Sequence, residues 1–194
     1  VDVLGTTGQG SESSDTMVWA RNNGIGGFTI LENIAQADGD FLQGVAVDRF
    51  HADSRLDVAL SWHAANKGIQ MLSVPATPSS DSWTWRKVSE TSQDEDLTAG
   101  DIDSDGDIDL LLGTQWLRND QSEFVARSLS DSTGMPDRNR LVDVNGDGRL
   151  DAVIGFEAIN SPGKLAWYEQ PSSVDSTWIE HVIATPIGPM SLDA

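Results

Sequence analysis

One phrase recurs along this chain and limits its architecture more than any other feature: an aliphatic residue, an aspartate, then a short apolar run. It occurs as Val1-Asp2-Val3-Leu4-Gly5, Leu56-Asp57-Val58-Ala59-Leu60, Ile108-Asp109-Leu110-Leu111-Leu112-Gly113 and Leu150-Asp151-Ala152-Val153-Ile154-Gly155. The copies fall roughly every 40–55 residues, the period of architectures in which each repeat buries its apolar face only against its neighbours.

An aromatic strand edge follows three of the copies: Val18-Trp19-Ala20-Arg21-Asn22, Gln115-Trp116-Leu117-Arg118-Asn119 and Ala166-Trp167-Tyr168-Glu169-Gln170; Ile69-Gln70-Met71-Leu72 takes its place in the remaining repeat. Each unit then ends in a short run, Phe28-Thr29-Ile30, Trp85-Arg86-Lys87-Val88, Phe124-Val125-Ala126-Arg127 or Trp178-Ile179-Glu180-His181-Val182-Ile183. Period-two alternation marks half-buried strands. Clusters such as Asn22-Asn23-Gly24 and Pro75-Ala76-Thr77-Pro78-Ser79-Ser80 separate them as turns and loops. No stretch combines helical periodicity with caps.

A unit therefore reads as an inner strand (Gly44–Val47, Leu97–Gly100 or Asn139–Val142), a polar loop and three further strands. That is a four-stranded antiparallel blade, and the expected fold is an all-β propeller. Complete blades are expected over 43–90, 97–130 and 138–183. Residues 1–35 lack a first strand and loop, whereas 188–194 resemble a first strand alone, so both ends read as partial blades. Open blade flanks expose apolar surface, so the expectation is self-association or pairing with the rest of a parent propeller, two copies completing a ring of about seven or eight blades.

With 12 Lys+Arg against 31 Asp+Glu the formal charge is −19, which repels nucleic acid and anionic lipid surfaces. Cysteine is absent, which removes disulfides and thiolate metal sites. No apolar run reaches the roughly 18 residues of a membrane span.

Part of the acidity is concentrated in two loops, Asp101-Ile102-Asp103-Ser104-Asp105-Gly106-Asp107-Ile108-Asp109 and Asp143-Val144-Asn145-Gly146-Asp147-Gly148-Arg149-Leu150-Asp151. A hard dication takes about six to eight oxygens, which a curled loop supplies from alternate positions. The first, third, fifth and ninth side chains are the candidates, namely Asp101, Asp103, Asp105 and Asp109, and Asp143, Asn145, Asp147 and Asp151. Gly106 and Gly148 permit the sharp turn, after which the carbonyls of Asp107 and Arg149 can face the ion. An EF-hand would need a bidentate Glu at its twelfth position, and here Leu112 and Ile154 stand there. A third loop, Asp48 to Asp57, has Arg49 and His51 at its first two ligand positions and Ser54 for the glycine, so it reads as degenerate.

The two complete loops and the strands after them resemble the FG-GAP/VCBS repeats of integrin-α-like β-propellers, over nearly the whole chain. The resemblance implies that each loop joins the first two strands of a blade and binds calcium through the residues named above. It also implies part of a larger ring, because propellers of that family commonly have about seven blades.

His51, His63 and His181 are too dispersed for a zinc motif, and no Gly-x-Ser-x-Gly elbow or phosphate-cradling glycine loop is present. Trp19, Trp116 and Trp167 occupy matching positions and are expected in the core, whereas Trp62 and Trp83 break the register and are expected to be the exposed ones. By family analogy the chain reads as a non-catalytic recognition module of a secreted or cell-surface protein with a glycan or protein ligand. A propeller-type polysaccharide lyase, for which Tyr168 is the sole tyrosine available, and a structural spacer are the alternatives.

Overall fold

The recurring phrases form the strands on which the whole molecule is built. In the computed structural model, which describes residues 2–6, 17–35, 38–53, 55–90, 92, 96–121, 123–131, 134–159, 162–188 and 192, the chain is all-β. Its first sheet contains β1 (Val3–Thr6), β2 (Met17–Asn22) and β3 (Phe28–Leu31). The second contains β4 (Leu42–Asp48), β5 (Asp57–Trp62), β6 (Ile69–Ser73) and β7 (Thr84–Ser89). The third contains β8 (Leu97–Gly100), β9 (Asp109–Leu112), β10 (Gln115–Asp120) and β11 (Glu123–Ser128), and the fourth β12 (Pro136–Val142), β13 (Asp151–Phe156), β14 (Lys164–Glu169) and β15 (Ile179–Ala184). Every neighbouring pair within a sheet is antiparallel and consecutive in the chain. The single helical element among the described residues is a 3-10 turn over Ala65–Lys67.

Apolar side chains of successive sheets meet face to face. Alternate residues of a strand point to opposite faces, so β9 sends Leu110 and Leu112 into a cluster with Ala59, Ile69 and Met71 of the second sheet. Its Leu111 joins Ala152, Ile154 and Tyr168 of the fourth. Covering both faces explains why β5 and β9 are buried along their whole length, Asp57, Ser61 and Asp109 included. The last strands, β7 and β11, keep partly or fully exposed residues along their length.

The matching tryptophans divide by which face is covered. Trp19 and Trp116 are buried, but Trp167 is only half-buried and stacks on His181, with ring centroids 4.3 Å apart. Trp62 and Trp83, expected to be exposed, are instead 4% and 5% exposed and lie in the cluster between the first two sheets. Trp62 is buried because β5 has both faces covered. Trp83 is a repeat position after all: it precedes β7 as Trp178 precedes β15, and the backbone N–H of each donates to the segment leaving the previous sheet. Trp83 N–H donates to the Asn33 carbonyl (2.9 Å) and Trp178 N–H to the Leu129 carbonyl (2.9 Å).

The first strands β4, β8 and β12 lie beside one another. Between the first two sheets, Val3 on β1 and Val45 and Val47 on β4 are exposed, and they line an apolar cleft of about 750 Å³. The first strand expected over 188–194 falls outside the described residues except at 188 and 192.

Two side-chain amides fasten neighbouring sheets at their loop ends. Asn119 Nδ2 donates to the Phe50 carbonyl (3.0 Å) and also to the Ile108 carbonyl (3.0 Å), and Gln170 Nε2 donates to the Ile102 carbonyl (2.6 Å). Both residues are buried, so truncation leaves carbonyls without partners and without water. Asn119→Ala and Gln170→Ala are each expected to lower the unfolding free energy by about 1–3 kcal/mol, the loss being larger for Asn119. Denaturant titration checks this; two variants indistinguishable from the parent would show that these bonds do not hold the stack.

Candidate metal loops

Each acidic loop links the first and second strands of its sheet, the 101–109 loop between β8 and β9 and the 143–151 loop between β12 and β13. Both are wound by their own carboxylates. Asp101 Oδ1 and Oδ2 accept from the N–H groups of Asp105 and Gly106, each at 3.1 Å. Asp143 accepts from Gly146 (2.8 Å), Asp147 (3.0 Å) and Gly148 (2.8 Å). The turns require left-handed backbone at two positions: Gly106 (φ 95°) and Gly148 (φ 86°), and also Gly146 (φ 77°) with Ser104 (φ 61°) at the matching place. The glycine reading found the first pair. Ser104 carries a conformation that a side chain disfavours, with no sequence signal to mark it.

The ninth-position aspartates are structural latches as well as candidate ligands. Asp109 is fully buried; its Oδ2 accepts from Ile102 N–H (3.1 Å) and its Oδ1 from Asn119 N–H (2.7 Å). Asp151, equally buried, accepts from Val144 N–H (3.0 Å) and Gln170 N–H (2.9 Å). Asp2 accepts from Asn22 N–H (2.8 Å) in the first sheet at the same place.

The two loops differ in how far their ligand sets converge. Asp101, Asp103 and Asp109 bring one carboxylate oxygen each within 4.8 Å of the others, the one such grouping among the described residues. The Asp103 side chain is only 5% exposed, and its Oδ1 is buried without a hydrogen-bond partner. Burial raises its carboxyl above the usual range, and the neighbouring Asp105 charge adds to the rise. A buried oxygen with no donor, beside two further carboxylates, fits a hard dication. Asp105 accepts from Asp107 N–H (2.9 Å) at the outer lip.

In the 143–151 loop the side chains satisfy one another. Asn145 Oδ1 accepts from Asp147 N–H (3.0 Å), while its Nδ2 faces Asp147 Oδ2 (3.0 Å) and Glu169 Oε1 (3.4 Å). Asp147 also accepts from Arg149 N–H (2.9 Å), which holds its carboxyl below the usual range, and pairs with the Arg149 guanidinium. The 48–57 loop goes further: His51 Nδ1 meets Asp57 Oδ2 at 2.6 Å, and Arg55 pairs with Asp53 at 2.5 Å. Basic side chains of the loop itself thus meet its fifth- and ninth-position carboxylates; Ser54 is outside the described residues.

Sequence reasoning missed Arg118 and Glu169, which approach the loops from β10 and β14. Arg118 Nε lies 2.9 Å from Asp103 Oδ2, with Nη2 3.5 Å from Asp105 Oδ2. The signal was in the repeat: both follow the matching tryptophan by two positions. Comparison with protein-family models, with curated proteins and with solved structures returns no match.

Burial pushes the Asp109 carboxyl from 3.8 up to about 6, against the Asn119 and Ile102 N–H groups that pull it down. Between those values the folded chain keeps a proton that the unfolded chain releases. Its contribution to metal-free stability is therefore complete below about pH 4, falls as pH rises and is gone above about pH 6, a change on the order of 3 kcal/mol at most. Denaturation in chelator across this window should show a steeper decline for the parent than for Asp109→Asn, whose lost acceptor gives a constant offset. Parallel curves would mean that Asp109 does not titrate there.

Proposed function

We propose that this chain is a calcium-binding stretch of β-propeller acting as a recognition module of a secreted or cell-surface protein, with a glycan or protein as ligand. The observation that carries the calcium part is the buried, partnerless Oδ1 of Asp103 beside Asp101 and Asp109. Four consecutive antiparallel meanders stacked face to face, with the first strands of the second, third and fourth sheets side by side, support reading the sheets as blades. Calcium would be held in the 101–109 loop by Asp101, Asp103, Asp105 and Asp109 with the Asp107 carbonyl. In the 143–151 loop Asp143, Asn145, Asp147 and Asp151 with the Arg149 carbonyl would hold it. The ion neutralises crowded carboxylates and fixes loops that line one edge of the stack, which is how a rigid scaffold presents a binding surface. Pairing with further blades would cover the cleft between β1 and β4.

Recognition is favoured over polysaccharide cleavage because Tyr168 is fully buried between the third and fourth sheets, out of reach of a substrate. Burial of Trp62 and Trp83 removes two sugar-stacking platforms, which shifts the weight toward a protein ligand; the half-buried Trp85 and Trp167 remain for a glycan.

One set of measurements tests the reading. Calcium should raise the melting temperature, with a stabilisation of about 2.7 kcal/mol at a hundredfold excess over Kd. Calorimetry should lose one calcium with Asp105→Ala, one with Asp147→Ala and none with Asp53→Ala. Immobilised polysaccharides and candidate proteins should be retained in calcium and released by chelator, with no chain cleavage. Identical melting curves in calcium and chelator would contradict the metal reading, and cleavage would move the chain to the enzymes.

A further inference from the structure

The two complete loops are faced by opposite charges at one register position. The β9–β10 ladder pairs Leu110 with Leu117, and one residue further Arg118 comes opposite the latch aspartate Asp109. The β13–β14 ladder pairs Ala152 with Tyr168, and one residue further Glu169 comes opposite Asp151. The third loop position changes with it. Asp103, a carboxylate, faces the Arg118 guanidinium at 2.9 Å, whereas Asn145, an amide, faces the Glu169 carboxylate at 3.4 Å. Glu169 is itself held by His181 Nε2 at 2.9 Å.

We infer that Arg118 is an intramolecular counter-ion of the 101–109 loop that competes with calcium for Asp103 and Asp105 and so sets the affinity of that loop. The inference rests on the calcium reading above. Its geometry is specific: the guanidinium pairs with Oδ2 of Asp103, while Oδ1 is buried without a hydrogen-bond partner, and the Asp103 carboxylate brings one oxygen within 4.8 Å of oxygens of Asp101 and Asp109. Five aspartates, at 101, 103, 105, 107 and 109, crowd this loop, and one fixed positive charge makes it tolerable without metal. The same charge opposes an arriving dication, and binding requires Arg118 to release Asp103 and Asp105 or to share them. Arg118 is about one-third exposed, so it can swing toward solvent when it is displaced.

The test uses the full chain carrying Asp147→Ala, which leaves the 101–109 loop as the calcium site to be titrated. Calorimetry compares this protein with versions that also carry Arg118→Gln or Arg118→Lys. Removing the charge should tighten calcium about three- to tenfold, as expected for one unit charge a few ångströms from the ion at a partly exposed site. Lysine keeps the charge and should leave affinity within about twofold of the parent. A second readout is metal-free stability. Arg118→Gln should melt lower than the parent in chelator yet gain more from calcium, whereas a merely structural arginine would lower both curves equally. Equal affinity of the Gln variant and its parent, with calcium bound in both and lost on Asp103→Ala, would overturn the role of Arg118 and leave the calcium reading intact. Failure of the parent to bind calcium at all would overturn both.

Discussion

The buried aspartates that open β9 and β13, Asp109 and Asp151, tie the loop ends of the sheets together. A carboxylate removed from water must be repaid with hydrogen bonds, and Asp109 and Asp151 obtain theirs from two N–H groups distant in sequence. One donor is the second residue of the acidic loop; the other closes the third strand of the sheet. Those strand-closing residues, Asn119 and Gln170, turn their own amides onto the preceding sheet. A continuous path results: Asp151 accepts from Gln170, Gln170 donates to Ile102, Ile102 donates to Asp109, Asp109 accepts from Asn119, and Asn119 donates to Phe50. It crosses three sheets at the end where the loops lie. Apolar contact between sheets supplies most of the driving force, but contact alone is indifferent to small slips. The latch path sets how the sheets register on one another.

The same aspartates create an electrostatic problem that the three loops solve in different ways. The 48–57 loop pairs Asp53 with Arg55 and sets the His51 ring against Asp57. The 143–151 loop combines Arg149 with an asparagine in place of a third-position carboxylate. The 101–109 loop keeps the most carboxylates, places Arg118 on two of them and still leaves a buried oxygen without a donor. Affinity for a dication should follow how incompletely each loop has neutralised itself. On a surface carrying a formal −19, the sites that matter are those where the charge is buried and converging.

Apolar phrases and turn residues were enough to foresee an all-β chain of antiparallel strands, because period-two alternation and glycine-rich loops are local signals. The acidic loops were equally plain in the sequence. Which face of a strand is covered was not, because coverage depends on the stacking of sheets. Trp62 was misread for that reason: β5 is buried on both sides, so its last residue has no solvent face. Trp167 erred in the opposite direction, since it occupies the position of Trp116 but keeps a solvent-exposed part against His181. Arg118 was overlooked because its partners lie across a strand pair, and a search confined to the loop cannot see a charge arriving from a neighbouring strand.

Residue-resolved amide hydrogen exchange, compared in chelator and in calcium, bears most directly on the claim that buried latches hold the loops and a cation completes them. In chelator the amides of Ile102, Asn119, Val144 and Gln170, bound to the latch carboxylates, should exchange slowly, while those of Asp105 and Gly106 at the exposed turn exchange fast. Calcium should slow the turn amides and leave the latch amides nearly unchanged. Latch amides that exchange as fast as the turn in chelator, or turn amides indifferent to calcium, would contradict the account.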